Sequence, residues 1–300
     1  MNLLAPIAGE VAVDLTAGLG GHASLLANCV GQEGTVVGFD MDASNLDHAT
    51  ARLAATGTRF IPIHARFTDA PAQLARLGLR ASVVLADLGF SSNQMDDPSR
   101  GFSFTADGPL DMRLDRSQTV SATDLLAAMD ETGLADLIYR YGEEPFARRI
   151  ARKLAQIRAR EPIRTTARLA EAVVEAYGSR ARSSRMHPAT RTFMALRIAV
   201  NDELGSLQTL LDHVRRGAED ADRGGWLMEG ARVGIISFHS LEDRLVKRAF
   251  ADMHTQGLAQ RLTRRPVIAD DAETRENPRS RSAKFRAISL AHRTKLPARI

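Results

Sequence analysis

Short β-branched runs at residues 11–13, 35–39, 60–63 and 82–85 are separated by helix-like stretches at 23–29 and 43–55. No other feature restricts the chain as much. Near-continuous apolar strands demand a parallel sheet covered by helices on both faces. The alternation then stops. Residues 121–129, 134–141, 145–160, 166–177 and 189–214 all read as helices, and strand character returns only at 232–237. Within 145–160, Phe146, Ile150, Leu154 and Ile157 recur at helical spacing while basic residues fill the other face. An α/β domain is thus interrupted by an all-helical block and resumes after it. The expected division is residues 1–108, an inserted helical domain at 109–215, and a second α/β part at 216–300. Residues 263–282, rich in Arg, Ser and Pro, read as a loop or basic C-terminal arm.

In an open α/β sheet, ligands sit beyond the carboxyl ends of the strands, and this chain concentrates polar residues there. The first strand leads into Asp14-Leu15-Thr16-Ala17-Gly18-Leu19-Gly20-Gly21-His22, a glycine loop through which backbone can approach a ligand closely. Gly18, Gly20 and Ala23 satisfy the dinucleotide pattern G-x-G-x-x-A, so a nicotinamide-dependent oxidoreductase is one alternative. Asp40, ending the second strand, would hold a ribose hydroxyl pair in either case. Asp14 and Asp87 separate the two readings. A pyrophosphate gains nothing from extra carboxylates, whereas S-adenosyl-L-methionine bears an ammonium and a sulfonium. The fourth strand delivers Asp87 and then a polar loop, Leu88 to Gln94, where a helix would be ordinary. His22 has no partner at ligand spacing, and no metal site is expected. The G-x-S-x-G elbow of hydrolases is missing.

No apolar run approaches the roughly 20 residues of a spanning helix, and residues 1–10 lack the basic start of a secretory signal. A soluble cytoplasmic protein is expected. The single Cys29 is expected to pack inside the first helix. Net charge is +4, yet residues 251–300 carry eleven Lys and Arg against five Asp and Glu. A second basic tract between Arg140 and Arg197 includes Arg148, Arg149, Arg152, Lys153, Arg158, Arg160, Arg180, Arg182 and Arg185. Charge so distributed suits a polyanion, although a solvated helix face and a tail would look the same.

Further stretches complete a pattern. They are Ile63-His64-Ala65-Arg66-Phe67, Arg100 to Phe104, Asp107 to Met112, Tyr141-Gly142-Glu143-Glu144 and His187 to Phe193. Ser237 to Arg244 and Asn277 to Lys284 follow. With the loops above, the chain resembles, over almost its whole length, the bacterial 16S rRNA (cytosine-N4) methyltransferases that modify a decoding-centre cytosine. The resemblance implies a class I S-adenosylmethionine-dependent methyltransferase fold, Rossmann-like and mostly parallel, with an inserted helical substrate-recognition domain. It implies a cofactor set of Gly20, Gly21, His22, Asp40, Phe67, Asp87 and Gln94. It also implies 16S rRNA or the small ribosomal subunit as partner. Oligomeric state stays open, a homodimer included. Three departures stand out: a His-x-Pro-Val segment usual before the first strand is missing, leaving a start codon upstream or a pocket short of one wall. Asn93 and Met194 stand where proline and glutamine are common.

An exocyclic cytosine amine is a poor nucleophile, because its lone pair is delocalised into the ring. A hydrogen-bond acceptor at its N–H and alignment with the methyl group would help. Asp87 is the expected catalytic residue, with a following backbone carbonyl as the other candidate acceptor. Phe102 or Phe104 would hold the extruded base by stacking. Asp111 and Arg113 are expected to pair and fix their loop, and His239 to tie down its neighbours or touch RNA. Arg148, Arg149, Arg152 and the 279–284 arm would grip phosphates. A ribosome-assembly factor with the fold but no turnover is the non-enzyme alternative.

Overall fold

The computed structural model describes residues 1–184 and 186–292. Arg185, Arg293, Lys295 and Arg299, part of the basic excess noted above, lie outside the described residues. The chain begins β1 (Val11–Asp14), α1 (Gly21–Val30), β2 (Thr35–Asp40), α2 (Ala43–Leu53), β3 (Arg59–His64), α3 (Ala70–Leu77) and β4 (Ala81–Asp87). Helices follow: α4 (Ser92–Asp96), α5 (Ala122–Ala128), α6 (Glu131–Gly142), α7 (Ala147–Arg158), α8 (Thr166–Tyr177), α9 (Ala189–Asn201) and α10 (Glu203–Glu219). Last come β5 (Leu227–Ser237), α11 (Ser240–Thr255), β6 (Ala259–Arg261), α12 (Asp271–Glu276) and β7 (Lys284–Leu290).

Two compact units result, Met1–Gly89 with Leu204–Ile300, and Phe90–Glu203. The first holds a seven-stranded sheet in the order β3-β2-β1-β4-β5-β7-β6. β3, β2, β1, β4 and β5 run parallel, β7 is antiparallel to β5, and β6 is antiparallel to β7. This is the class I, Rossmann-like methyltransferase arrangement that was expected. The central strands carry Val36, Val37, Phe39, Val83, Val84 and Leu85 with essentially no exposure, as strands covered on both faces require. The second unit is a helical cluster around Leu134, Ile138, Ile150, Leu154, Leu169 and Leu196.

The unit boundaries differ from the 108/109 and 215/216 divisions read from periodicity. Phe102, Leu110 and Met112 pack into the helical core, so the loop after β4 belongs with the helices. Leu207, Leu210, Leu211 and Val214 of α10 pack against the sheet, so that helix belongs with the strands. The single helix expected at 189–214 is two. Asp202 takes φ 47° between them, and Asn201 donates to the Met112 carbonyl while accepting the Leu114 N–H.

Residues 263–282, expected to be a loop or arm, hold the short helix α12 and a 3-10 turn at Pro278–Ser282, and a strand, β7, follows them. Lys284 opens β7 and lies 3.7 Å from Asp243, and Arg286, 7% exposed, pairs with the same carboxylate. Cys29 is exposed rather than packed. The buried stripe of α1 is Ala23, Leu26, Ala27 and Val30, and residue 29 falls off that i, i+3, i+4, i+7 face. No helix among the described residues is long and apolar enough to cross a membrane.

Candidate active site

Three aspartates end three neighbouring strands: Asp40 on β2, Asp14 on β1 and Asp87 on β4. Register sets their depths. Asp14 pairs with Gly38 and with Leu85, so Asp40 and Asp87 each stand two residues further out. At about 3.3 Å per residue that is roughly 7 Å. Asp14 is accordingly fully buried at the floor, with the other two nearer the mouth.

The loop leaving β1 laces these strands together. Leu15 N–H donates to the Leu85 carbonyl and Ala17 N–H to the Phe39 carbonyl, both at 2.8 Å. Thr16 N–H donates to Asp14 Oδ1 at 3.1 Å, and Thr16 Oγ1 accepts the Asp87 N–H at 2.6 Å. Gly18 N–H donates to Asp40 Oδ2 at 2.8 Å. Gly20 has φ 81°, and a Cβ there would lie 2.9 Å from Ala49 Cα. Glycine at 20 is thus required both by the backbone turn and by the close approach of α1 to α2.

The carboxylates are unequally satisfied. Asp40 Oδ1 also accepts from Asp42 N–H and Asn45 Nδ2. Three of its roughly four acceptor positions are in use, so Asp40 holds the glycine loop in place, a duty the sequence reading did not assign. By contrast, Asp14 Oδ2 and Asp87 Oδ1 are buried with no hydrogen-bond partner. His22 at the start of α1 lies 3.6 Å from Asp87 Oδ2 through Nδ1. Burial pushes the Asp87 carboxyl up to about 7, with the Glu242 carboxylate adding to it. Burial likewise raises Asp14 to about 6, against the pull of His22 and the Thr16 N–H. Asp40 is raised by burial too, opposed by the donors just named. Native proteins seldom leave buried carboxylate oxygens unpaired, because desolvation is costly. An incoming cation would offset that cost.

Phe67 follows β3 in a short turn, half-buried against the sheet core. Gly21 is the first residue of α1. Gln94 falls in the helical unit, buried, where its Oε1 accepts the Ser91 N–H and caps α4. The six other expected cofactor residues all belong to the first unit. His239 is structural: it caps α11, accepting the Glu242 N–H. Sequence reading passed over Thr16, Asn45 and Glu242. The last was visible in the His-x-x-Glu spacing ahead of an apolar run, which resembles a capping box. Its carboxylate accepts the Phe238 N–H at 2.9 Å.

Within the helical unit, Asp111 and Arg113 pair at 2.7 Å as expected. Phe102 is 7% exposed and already stacks on Phe90, with centroids 5.0 Å apart. Arg197 covers the Phe90 ring. Phe102 is therefore occupied as a packing residue, while the half-buried Phe104 stacks on His187. Of the basic tract, Arg152 lies 3.6 Å from Glu131 and Lys153 2.5 Å from Glu175. Arg148 and Arg149 stay exposed on α7.

The MraW methylase family profile matches residues 1–291. The chain belongs to that family. Among its relatives, a protein of Sorangium cellulosum named ribosomal RNA small subunit methyltransferase H is 45% identical over 95% of this chain and 86% of its own length. A Geobacter sulfurreducens protein of the same name is 44% identical, over 96% and 94%. One from Synechococcus sp. WH7803 is 48% identical, over 91% and 85%. Among solved structures, an rRNA methylase from Streptococcus thermophilus aligns with 97% of this chain and 93% of its own at 10% identity and TM-score 0.41. So loose a likeness adds nothing to the family assignment.

Proposed function

We propose that the protein transfers a methyl group from S-adenosyl-L-methionine to the exocyclic N4 of a decoding-centre cytosine in 16S rRNA, in the cytoplasm. The observation that carries this reading is the pair of buried, unpartnered carboxylate oxygens on Asp14 and Asp87 at adjacent strand ends. Membership of a methylase family and relatives named for small-subunit rRNA support it. The bound donor supplies an electrophilic methyl on a positively charged sulfur.

The chain's own residues then have separable duties. Gly20, Gly21 and His22 flank the donor's amino-acid end, and Asp40 keeps the loop closed while offering its last acceptor position to a ribose hydroxyl. Phe67 gives adenine an apolar wall. Asp14, at the floor, supplies negative charge to the donor. Asp87 accepts a hydrogen bond from the target amine, which returns electron density to that nitrogen. Its carboxyl, pushed up to about 7 by burial, is matched to receive the departing proton at neutral pH. Thr16 fixes Asp87 through its backbone N–H. The helical unit, with Arg148, Arg149 and Arg152, is the substrate-recognition part.

The test uses 16S rRNA, naked and within small subunits, from a strain deleted for this gene. Purified protein and isotope-labelled donor should add one methyl group to one cytosine, located at N4 by nuclease digestion and mass spectrometry. A methyl on ring carbon or ribose would refute the N4 assignment. No incorporation into either substrate would refute transfer to this rRNA.

A further inference from the structure

Away from the strand mouths, the first unit carries a cavity of about 50 Å³ between α11 and the β6–β7 edge. Lys247, Phe250, Arg261, Thr263, Arg264 and Arg286 line it, with Ala251. Four cations and no carboxylate therefore face one concavity. Arg286 is committed: its Nε and Nη2 donate to Asp243 at 2.7 and 3.3 Å. Lys247, Arg261 and Arg264 are exposed and have no ion-pair partner among the described residues. The three face an apolar floor supplied by Phe250, which is 3% exposed. Asp243 also acts electrostatically on Lys247, but one carboxylate leaves this group of cations with a positive excess, and a structure that keeps them together gains when an anion arrives.

The sheet places this rim with respect to Asp87. β6 is antiparallel to β7, which is antiparallel to β5, so β6 runs in the same direction as β5 and β4. The chain leaving Arg261 consequently climbs through Thr263 and Arg264 toward the sheet end that carries Asp87. β6 lies three strand spacings from β4, roughly 14 Å. Acidic strand mouths repel phosphate, so a polyanionic substrate has to be held by cations elsewhere.

We propose that Lys247, Arg261 and Arg264 form a phosphate clamp for the RNA backbone flanking the target nucleotide. Two guanidinium forks and a flexible ammonium suit phosphodiester oxygens. The clamp rests on the rRNA substrate proposed above.

Binding of the full-length protein to purified unmethylated 16S rRNA, by filter retention from about 50 to 300 mM KCl, tests it. The triple variant K247Q/R261Q/R264Q should bind at least tenfold more weakly at the low-salt end. Its slope of log K against log salt should be shallower by about 2, since three contacts contribute about 0.7 each on single-stranded RNA. Affinity for S-adenosyl-L-methionine should not change, which shows that the fold and donor site survive. The charge-keeping variant K247R/R261K/R264K should retain the wild-type slope. A neutral variant with the wild-type slope would overturn the clamp and leave the proposed activity standing, as would equal loss in the charge-keeping variant. Wild-type protein that binds donor but no rRNA would instead remove the activity, and the clamp with it.

Discussion

Replacing Asp87 by Asn should flatten the pH dependence of donor binding, and the size of that change follows from the site. Burial disfavours the charge of both carboxyls and pushes Asp87 up to about 7 and Asp14 up to about 6, above the ordinary aspartate value. A cationic donor binds the ionised forms, so protons leave on binding and affinity rises with pH. For one group, the apparent Kd is multiplied by one plus the ratio of protonated to ionised form. Between pH 7.5 and 6, Asp87 contributes about an eightfold weakening and Asp14 about a further twofold, together roughly fifteenfold. The range stops at 7.5 because the donor's own amine titrates just above it. Isothermal calorimetry in two buffers of different ionisation enthalpy reads both Kd and the protons released. Asp87→Asn should leave about a twofold dependence and release fewer protons near pH 7. A flat profile in the wild type, or an unchanged steep one in Asp87→Asn, would refute the argument that these carboxylates meet the donor's charge. The same shifts make folding stability depend on pH. Stabilisation from the folded-state protonation of both groups is complete below about 4 and is lost as pH rises through 6 and 7.

Asp40→Ala should abolish donor binding in calorimetry and also lower thermal stability, because it leaves the Gly18 and Asp42 N–H groups without acceptors, at about 1–3 kcal/mol per unmet buried group. Unchanged affinity would remove Asp40 from the site. Thr16→Val deprives the Asp87 N–H of its acceptor, and methyl transfer should fall about tenfold or more at saturating donor. A wild-type rate would show that Asp87 is positioned by other means. Cys29 should react stoichiometrically with a maleimide in the native protein, with donor affinity preserved, and protection until denaturant is added would contradict its exposed position.

Much of this site could be read directly from the chain. β1, β2 and β4 are short apolar runs that each end at an aspartate, and a covered parallel sheet offers few other places for such residues. The position of Cys29 was readable too, since the spacing of Ala23, Leu26, Ala27 and Val30 already sets the buried face. Other features could not be read this way. β6 is three residues long, too short for any periodicity. β7 begins Lys-Phe-Arg, and Arg286 looks like a surface residue until Asp243, forty-three positions earlier, is seen beside it. The break at Asp202 involves neither glycine nor proline. It depends on the side chain of Asn201 binding a loop near Met112, which no local pattern announces. Asp40 illustrates a subtler limit. Its place at a strand end was plain, and its bonds from Asp42 and Asn45 are local, but the bond from Gly18 exists only once β1 and β2 lie side by side.

The charges of the first unit sort into two groups that cannot exchange roles. Asp14, Asp40 and Asp87 at the strand ends favour a cation and disfavour phosphate, whereas Lys247, Arg261 and Arg264 at the far edge do the reverse. Roughly 14 Å separates β4 from β6, and at physiological ionic strength the Debye length is about 8 Å. The rim cations are therefore largely screened from the acids and cannot neutralise them across solvent. Nor can the acids weaken a phosphate held at the rim by much. A single mixed patch would have paired its own charges and bound neither ligand well. Keeping one oxygen each of Asp14 and Asp87 buried and unpartnered while the cations stand exposed lets one end of a sheet bind a sulfonium donor and a polyanionic acceptor at once. Charge reversal at the rim should then act on RNA affinity alone, and neutralisation at the mouth on donor affinity first.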